Sequence, residues 1–223
     1  MKKMFLVVVV ALVFLLGAVI DVSAKGIDTD KFFVDLGVSQ TFYNNENLES
    51  ERGLKLKAGY DFVYLWGAYE RALNRYSGQE AGNIDLFGVG AGLQYFITEN
   101  LRLFAEVGWY DPNSSMEGVV TSGPNHEALW LELNRRVALP DGKGRSFDYY
   151  EYDLRGNIGG SLGVDFCYEI INRLTLGLSV SYRFLKLPES IYGRYYTAPE
   201  WWEVFGDKDF SGVQLFAGLT YRW

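Results

Sequence analysis

The residues able to do chemistry in this 223-residue chain fall into two groups. The first surrounds its single histidine. His126 has Ser114, Ser115 and Ser122 nearby, with Asp111, Glu117 and Glu127 as acidic neighbours. A hydroxyl, an imidazole and a carboxylate are the parts of a hydrolytic triad. A triad is a geometry, however, and proximity in sequence does not make one. A histidine in so polar a stretch reads first as a solvated loop residue. The second group is charge set into otherwise apolar segments: Lys55, Lys57, Arg102 and Arg183 against Asp35, Asp85, Glu106 and Asp165. Glu106 and Asp165 would make a carboxylate pair for acid–base work, but mixed charges in one interior more simply pair with one another. One histidine and one cysteine, without ligand spacing, give no metal site. Gly88, Gly90 and Gly92 alternate along a strand and do not lead into a helix, so they are no nucleotide fingerprint. No cofactor is expected. Cys167 has no partner for an intramolecular disulfide and reads as a small packed side chain.

The charges of the second group need elements to hold them, and the hydropathy pattern supplies eight. Successive residues of a strand face opposite ways. Phe32, Val34, Leu36, Val38 and Phe42 share a face opposite Asp35, Gly37, Ser39 and Thr41. Leu54, Leu56, Ala58, Tyr60 and Phe62 alternate with Lys55, Lys57, Gly59 and Asp61. A third strand, 65–76, is blurred by adjacent Glu70 and Arg71, and its facing stays open. A fourth, 84–97, sets Phe87, Val89, Ala91, Leu93, Tyr95 and Ile97 against glycines and Gln94. Strands at 101–110, 157–168 and 174–184 repeat the pattern. The last has Val213, Leu215, Ala217, Leu219, Tyr221 and Trp223 on one face, with Phe216 the exception on the other. Connections alternate short and long, the longest at about 111–155 and 186–209.

These features predict an all-β fold: a single closed antiparallel up-and-down transmembrane β-barrel of eight strands. The strand lengths suit the about 9–11 tilted residues that cross a bilayer. Closure follows because lipid cannot satisfy an open sheet edge. Two more spanning strands near Leu129 and Phe147 would give ten, but one of Arg135 and Arg136 would then face lipid. Periodicity alone does not choose the outward face, and a soluble barrel would turn the apolar rows inward. The small residues and mixed charges of the polar rows favour lipid outside and a salt-bridged lumen built from Lys55, Lys57, Asp85, Arg102, Glu106, Asp165 and Arg183. Composition agrees: aromatics are 17% of residues, as interfacial girdles require. The formal charge of −7 becomes −8 when Lys2, Lys3 and Asp21 are removed. With no basic cluster, nucleic acid is not an expected partner.

The beginning of the chain has the form of a secretory signal. Lys2 and Lys3 precede the apolar run 5–20, and Val22, Ser23 and Ala24 form a small-residue cleavage site. The run is shorter than the roughly 20 residues of a spanning helix. Residues 1–24 are expected to be removed, leaving 25–223 as the barrel.

With that leader, eight strands, alternating connections and the ending Leu219-Thr220-Tyr221-Arg222-Trp223, the chain resembles the small outer-membrane barrels of Gram-negative bacteria, including the OmpA transmembrane domain and the OmpX and OmpW families. The resemblance is architectural and covers the mature length. It implies location in the bacterial outer membrane and contact with outer-membrane lipid and lipopolysaccharide. It also implies periplasmic chaperones and the barrel-assembly machinery as partners in biogenesis, with Leu219, Tyr221 and Trp223 as the assembly signal. Members usually end in Phe, so Trp223 departs from the pattern while keeping an aromatic. No function follows from the architecture.

Function is expected in the long connections, where binding residues concentrate. Trp130, Tyr149, Tyr150, Tyr195, Tyr196, Trp201 and Trp202 are the contact candidates, since aromatics anchor interfaces. The expectation is a monomeric, non-enzymatic barrel with a polar, largely plugged lumen. It would serve envelope integrity, or surface interaction with an extracellular protein or ligand. A narrow porin-like channel for small or apolar solutes is the alternative. A lipid A-modifying enzyme using His126 is the lesser one.

Overall fold

The alternating segments form strands along the whole described chain. The computed structural model describes residues 31–76, 79–113, 115–119, 147–195 and 198–223. The strands are β1 (Phe32–Tyr43), β2 (Leu48–Tyr60), β3 (Val63–Tyr76), β4 (Gln79–Thr98), β5 (Leu101–Asn113), β6 (Ser115–Val119), β7 (Phe147–Leu154), β8 (Asn157–Ile171), β9 (Leu174–Phe184), β10 (Lys186–Tyr195), β11 (Ala198–Asp209) and β12 (Gly212–Arg222). Eight of them close a barrel in the order β1-β12-β9-β8-β5-β4-β3-β2, every pair antiparallel. The barrel therefore has eight strands and not ten.

One end of the barrel is closed by tight turns. Asp61–Phe62 joins β2 to β3, Glu99–Asn100 joins β4 to β5, and Asn172–Arg173 joins β8 to β9. Asp61 and Arg173 adopt positive φ, 54° and 74°, as such short connections demand. Strand β2 thus ends at Tyr60, two residues before the apolar alternation does. It also begins at Leu48, within a run that reads as a polar loop. A bulge between Ser50 and Gly53 lets it continue pairing with β3. The first and last strands meet along Phe33–Arg222 to Tyr43–Gly212 and complete the ring.

Register fixes the tilt. Following cross-strand partners from Phe166 leads through Leu178, Ala217, Val38, Leu54, Tyr69 and Phe87 to Asp111 on β5. Phe166 itself pairs with Leu101 on β5, ten residues from Asp111. A stagger of this size tilts the strands by about 40°. Because it is even, the same face stays outward all the way round.

The partition between the faces is the reverse of a water-soluble protein. Leu36, Leu54, Leu93 and Leu162 point outward and are each more than half exposed. Asp35, Lys55, Lys57, Glu70, Arg102, Glu106, Asp165 and Arg183 are buried inside. A soluble monomer does not wrap itself in so continuous an apolar band. Lipid outside and a packed polar interior give this arrangement.

At the other end a second sheet rises, in the order β11-β10-β7-β6. Strand β6 follows β5, β7 leads into β8, β10 follows β9, and β11 leads into β12. The sheet therefore repeats the order of β12, β9, β8 and β5 and extends half of the barrel wall. Of the expected loop 186–209, Lys186–Tyr195 form β10 and Ala198–Asp209 form β11. Part of 111–155 forms β6 and β7, which pair from Ser115–Asp153 to Val119–Tyr149.

Candidate functional site

The inward residues of the barrel strands build a braced lumen. Arg183 of β9 and Glu70 of β3 lie four positions apart in the ring of eight, on opposite walls. Arg183 Nη1 donates to Glu70 Oε2 at 2.6 Å, so this pair spans the full bore. Its Nε and Nη2 donate to the Phe210 carbonyl at 3.2 and 3.1 Å. Tyr43 donates to the other Glu70 oxygen at 2.6 Å. The guanidinium also lies over the Tyr43 and Tyr110 rings, 5.5 and 5.7 Å from their centroids.

Nearer the turn end, Lys55 of β2 reaches across to Glu106 of β5 at 2.6 Å. Ser161 and Tyr64 complete that carboxylate, donating at 2.7 and 3.1 Å. Deeper still, Arg102 Nη2 donates to Asp165 at 2.5 Å and its Nη1 to Gln94 at 3.2 Å. Lys57 stands 4.0 Å from Asp35, ringed by Tyr64, Phe104 and Phe216. An interior tolerates such groups because each faces a partner of opposite charge.

Of the residues assigned to the lumen from sequence, the structure puts Lys55, Lys57, Arg102, Glu106, Asp165 and Arg183 inside. Asp85 is the correction. It shares the outward parity of Phe87 and Val89, and it accepts from Arg71 Nε at 2.8 Å and Tyr69 at 2.9 Å on the outer face. Its inward neighbours, Ile84 and Leu86, are apolar and buried. Apolar side chains join the Glu70–Arg183 pair in the interior around this level, where Ala72, Leu154, Leu185, Leu187 and Phe210 are also buried. The two pairs should respond differently to truncation. Asp85→Ala, in a half-exposed pair, shifts the urea midpoint little. Glu106→Ala strands a buried lysine and lowers it sharply. Equal shifts would contradict the placement.

Sequence reasoning missed the interior aromatics, and register explains them. Tyr64 lies opposite Gly92, Trp66 opposite Gly90, Tyr110 opposite Gly88, Phe104 opposite Gly163, and Phe33 opposite Gly59. The Tyr64, Trp66, Tyr110 and Phe104 rings are seated over the glycines they face, where a Cβ would come within about 3 Å of them. Phe216, the exception in its strand, is likewise buried and caps Lys57 at 4.9 Å. Sequence also passed over Glu70, because Arg71 beside it obscured the alternation.

The wall sheet is tied to the barrel mouth. Phe210 donates its amide to the Leu185 carbonyl at 2.8 Å, and Ser211 bonds both polar groups of Leu185. Lys208 of β11 donates to Asn74 on β3 at 2.6 Å, crossing the mouth. The Phe210 and Tyr43 rings meet edge-on at 5.8 Å.

The contact candidates Tyr149, Tyr150, Tyr195, Trp201 and Trp202 fall on β7, β10 and β11 of this sheet. Trp130 and Tyr196 lie outside the described residues, as do His126, Ser114, Ser122, Glu127 and the leader 1–24. Asp111 is exposed on β5, and Ser115 and Glu117 belong to β6. At the turn end, Leu219 and Tyr221 face outward, Trp223 donates its amide to the Phe32 carbonyl at 3.3 Å, and its ring meets Tyr221 edge-on at 5.3 Å.

No protein-family model matches the chain, and no curated protein matches it significantly. Solved structures do. The outer-membrane protein OprG from Pseudomonas aeruginosa is 12% identical, with 86% of this chain and 95% of that one covered and a TM-score of 0.50. The outer-membrane protein AlkL, solved in lipid bilayers, is 13% identical over 86% and 90%, with a TM-score of 0.48. Neisserial surface protein A is 13% identical over 86% and 97%, with a TM-score of 0.39. At these identities the likeness is one of fold. The chain has the fold of the small eight-stranded outer-membrane β-barrels.

Proposed function

We propose that this is an integral protein of the bacterial outer membrane. Its lumen is plugged, and it works, without catalysis, through its wall sheet and the segments that join it. In this orientation the tight turns face the periplasm and the wall stands outside the cell. The carrying observation is the Glu70–Arg183 pair, which joins opposite walls of the barrel at 2.6 Å. With Lys55–Glu106 below and Lys208–Asn74 above, polar bridges cross the bore at successive levels. A solute would have to break buried ion pairs to pass. Function then belongs to the surface, in envelope integrity or in contact with an extracellular protein or ligand.

The test is conductance of refolded residues 25–223 in a planar bilayer, with a heat-shifted gel band as proof of folding. Silence is expected from the folded sample. Reproducible single-channel steps would overturn the plugged lumen and favour the channel. As a second expected outcome, replacing residues 115–153 by a short linker preserves the heat-shifted band. It abolishes adhesion of expressing cells to protein-coated surfaces; retained adhesion would move function away from the wall.

A further inference from the structure

We infer that the outward face of β1, β9 and β12 carries a site for one phosphorylated, multiply acylated glycolipid of the outer leaflet, of lipopolysaccharide type. Its acyl chain lies over Ala217 and its phosphate on Arg52. The inference rests on the membrane-barrel reading and adds a specific lipid to it.

The site begins as a dent in the apolar band. Along one register row the outward residues are Phe166, Leu178, Ala217, Val38 and Leu54. Ala217 is the one small side chain among larger ones, so the surface sinks between Val38 and Leu178. The resulting groove measures about 380 Å³, and its lining is mainly apolar. A narrow channel of this kind on a lipid-facing wall fits a hydrocarbon chain.

Charge supplies the second observation. One step toward the wall end, the next outward row reads Val180, Leu215, Gln40 and Arg52. Gln40 and Arg52 are direct cross-strand partners, both exposed, and both border the groove. The apolar surface does not stop there. Phe42 and Val213, paired with each other one step further on, are exposed as well. Arg52 thus sits at the polar edge of the apolar band, with Phe42 and Val213 beyond it on β1 and β12 and the Arg71–Asp85 pair beside it on β3 and β4. Among the described residues no carboxylate pairs with it, whereas outward Arg71 has Asp85. A guanidinium at that edge is free to take an anion from outside the protein, and its planar fork matches a phosphate. Gln40 adds an amide for a neighbouring hydroxyl or carbonyl. Because Arg52 lies on the wall side of the groove, the anion belongs to the outer leaflet.

The test is lipid retention. Wild type, Arg52→Gln, Ala217→Phe, Ala217→Leu and Ala91→Phe are extracted from outer membranes in mild detergent. Bound lipid is counted by native mass spectrometry. Ala91→Phe enlarges an outward alanine of β4, away from the groove. Wild type and Ala91→Phe are expected to retain one glycolipid per barrel. Arg52→Gln should reduce occupancy about tenfold, as loss of a charge-assisted contact implies. Ala217→Phe should reduce it comparably by filling the groove, and Ala217→Leu stands in if the phenylalanine variant loses its heat-shifted band. Unchanged occupancy in the folded Arg52 and Ala217 variants would overturn the site. Retention of an ordinary phospholipid with the same Arg52 dependence would overturn the glycolipid assignment. A wild type without a heat-shifted band would instead overturn the barrel reading beneath it.

Discussion

Replacing Arg183 with alanine destabilises the folded barrel by roughly 3–5 kcal/mol, measured by urea unfolding in detergent micelles or lipid vesicles. The reason is what the substitution leaves behind. Glu70 is left in the bore without its cation, with the Tyr43 and Thr41 hydroxyls as its partners, and the Phe210 carbonyl loses two donors. Arg183→Lys does not rescue the protein, because an ammonium cannot reach Glu70 and bracket the carbonyl with the same planar fork. The double variant Arg183→Met/Glu70→Gln costs less than the sum of the singles, because neither charge is then stranded. Strict additivity would mean that the two residues do not meet.

The second large effect is at Gly90. A Cβ there would clash with the Val107 carbonyl oxygen and stand 2.6 Å from the Gly108 Cα and 2.8 Å from Trp66 Cζ2. None of the three can withdraw freely, since two are backbone atoms and the indole also lies against Gly88 and Gly108. Gly90→Val is therefore expected to cost about 3 kcal/mol or more through overpacking and to erase most of the heat-shifted band. Adding Trp66→Ala returns part of that loss, because the ring is the one side chain among the three obstacles. A double variant no better than Gly90→Val alone would show that the indole does not occupy this seat.

Why these residues escaped a reading of the sequence is physical. The apolar rows were legible because lipid imposes a strict period of two on one face of every spanning strand. Leu54 to Tyr60 shows it plainly. Inside the lumen no such rule holds. Trp66 packs inward and Tyr69 outward on the same strand, and both are aromatic, so residue type does not separate them. The pairing of Trp66 with Gly90 or Phe104 with Gly163 exists only across strands and is invisible until register is known. Glu70 and Arg71 blurred the third strand because each serves a different face, one in the bore and one with Asp85 outside. The parity of Asp85 with Phe87 was legible, and its charge outweighed it in the reading. Strands β10 and β11 went unseen for the opposite reason to the barrel strands. They lie beyond the lipid, so nothing demands an apolar row. Their buried positions mix Leu187 with Glu189 and Lys208.

The assignment of faces is tested most directly by quenching with brominated lipid. Two single-tryptophan variants are prepared by replacing the other five with Phe, one keeping Trp109 and one keeping Trp66. Trp109 is outward and half-exposed, while Trp66 is buried in the lumen. In vesicles of dibrominated lipid, Trp109 fluorescence should be strongly quenched and Trp66 fluorescence nearly unchanged. Quenching of Trp66 with Trp109 protected would contradict the membrane barrel with apolar rows outward and a braced lumen within.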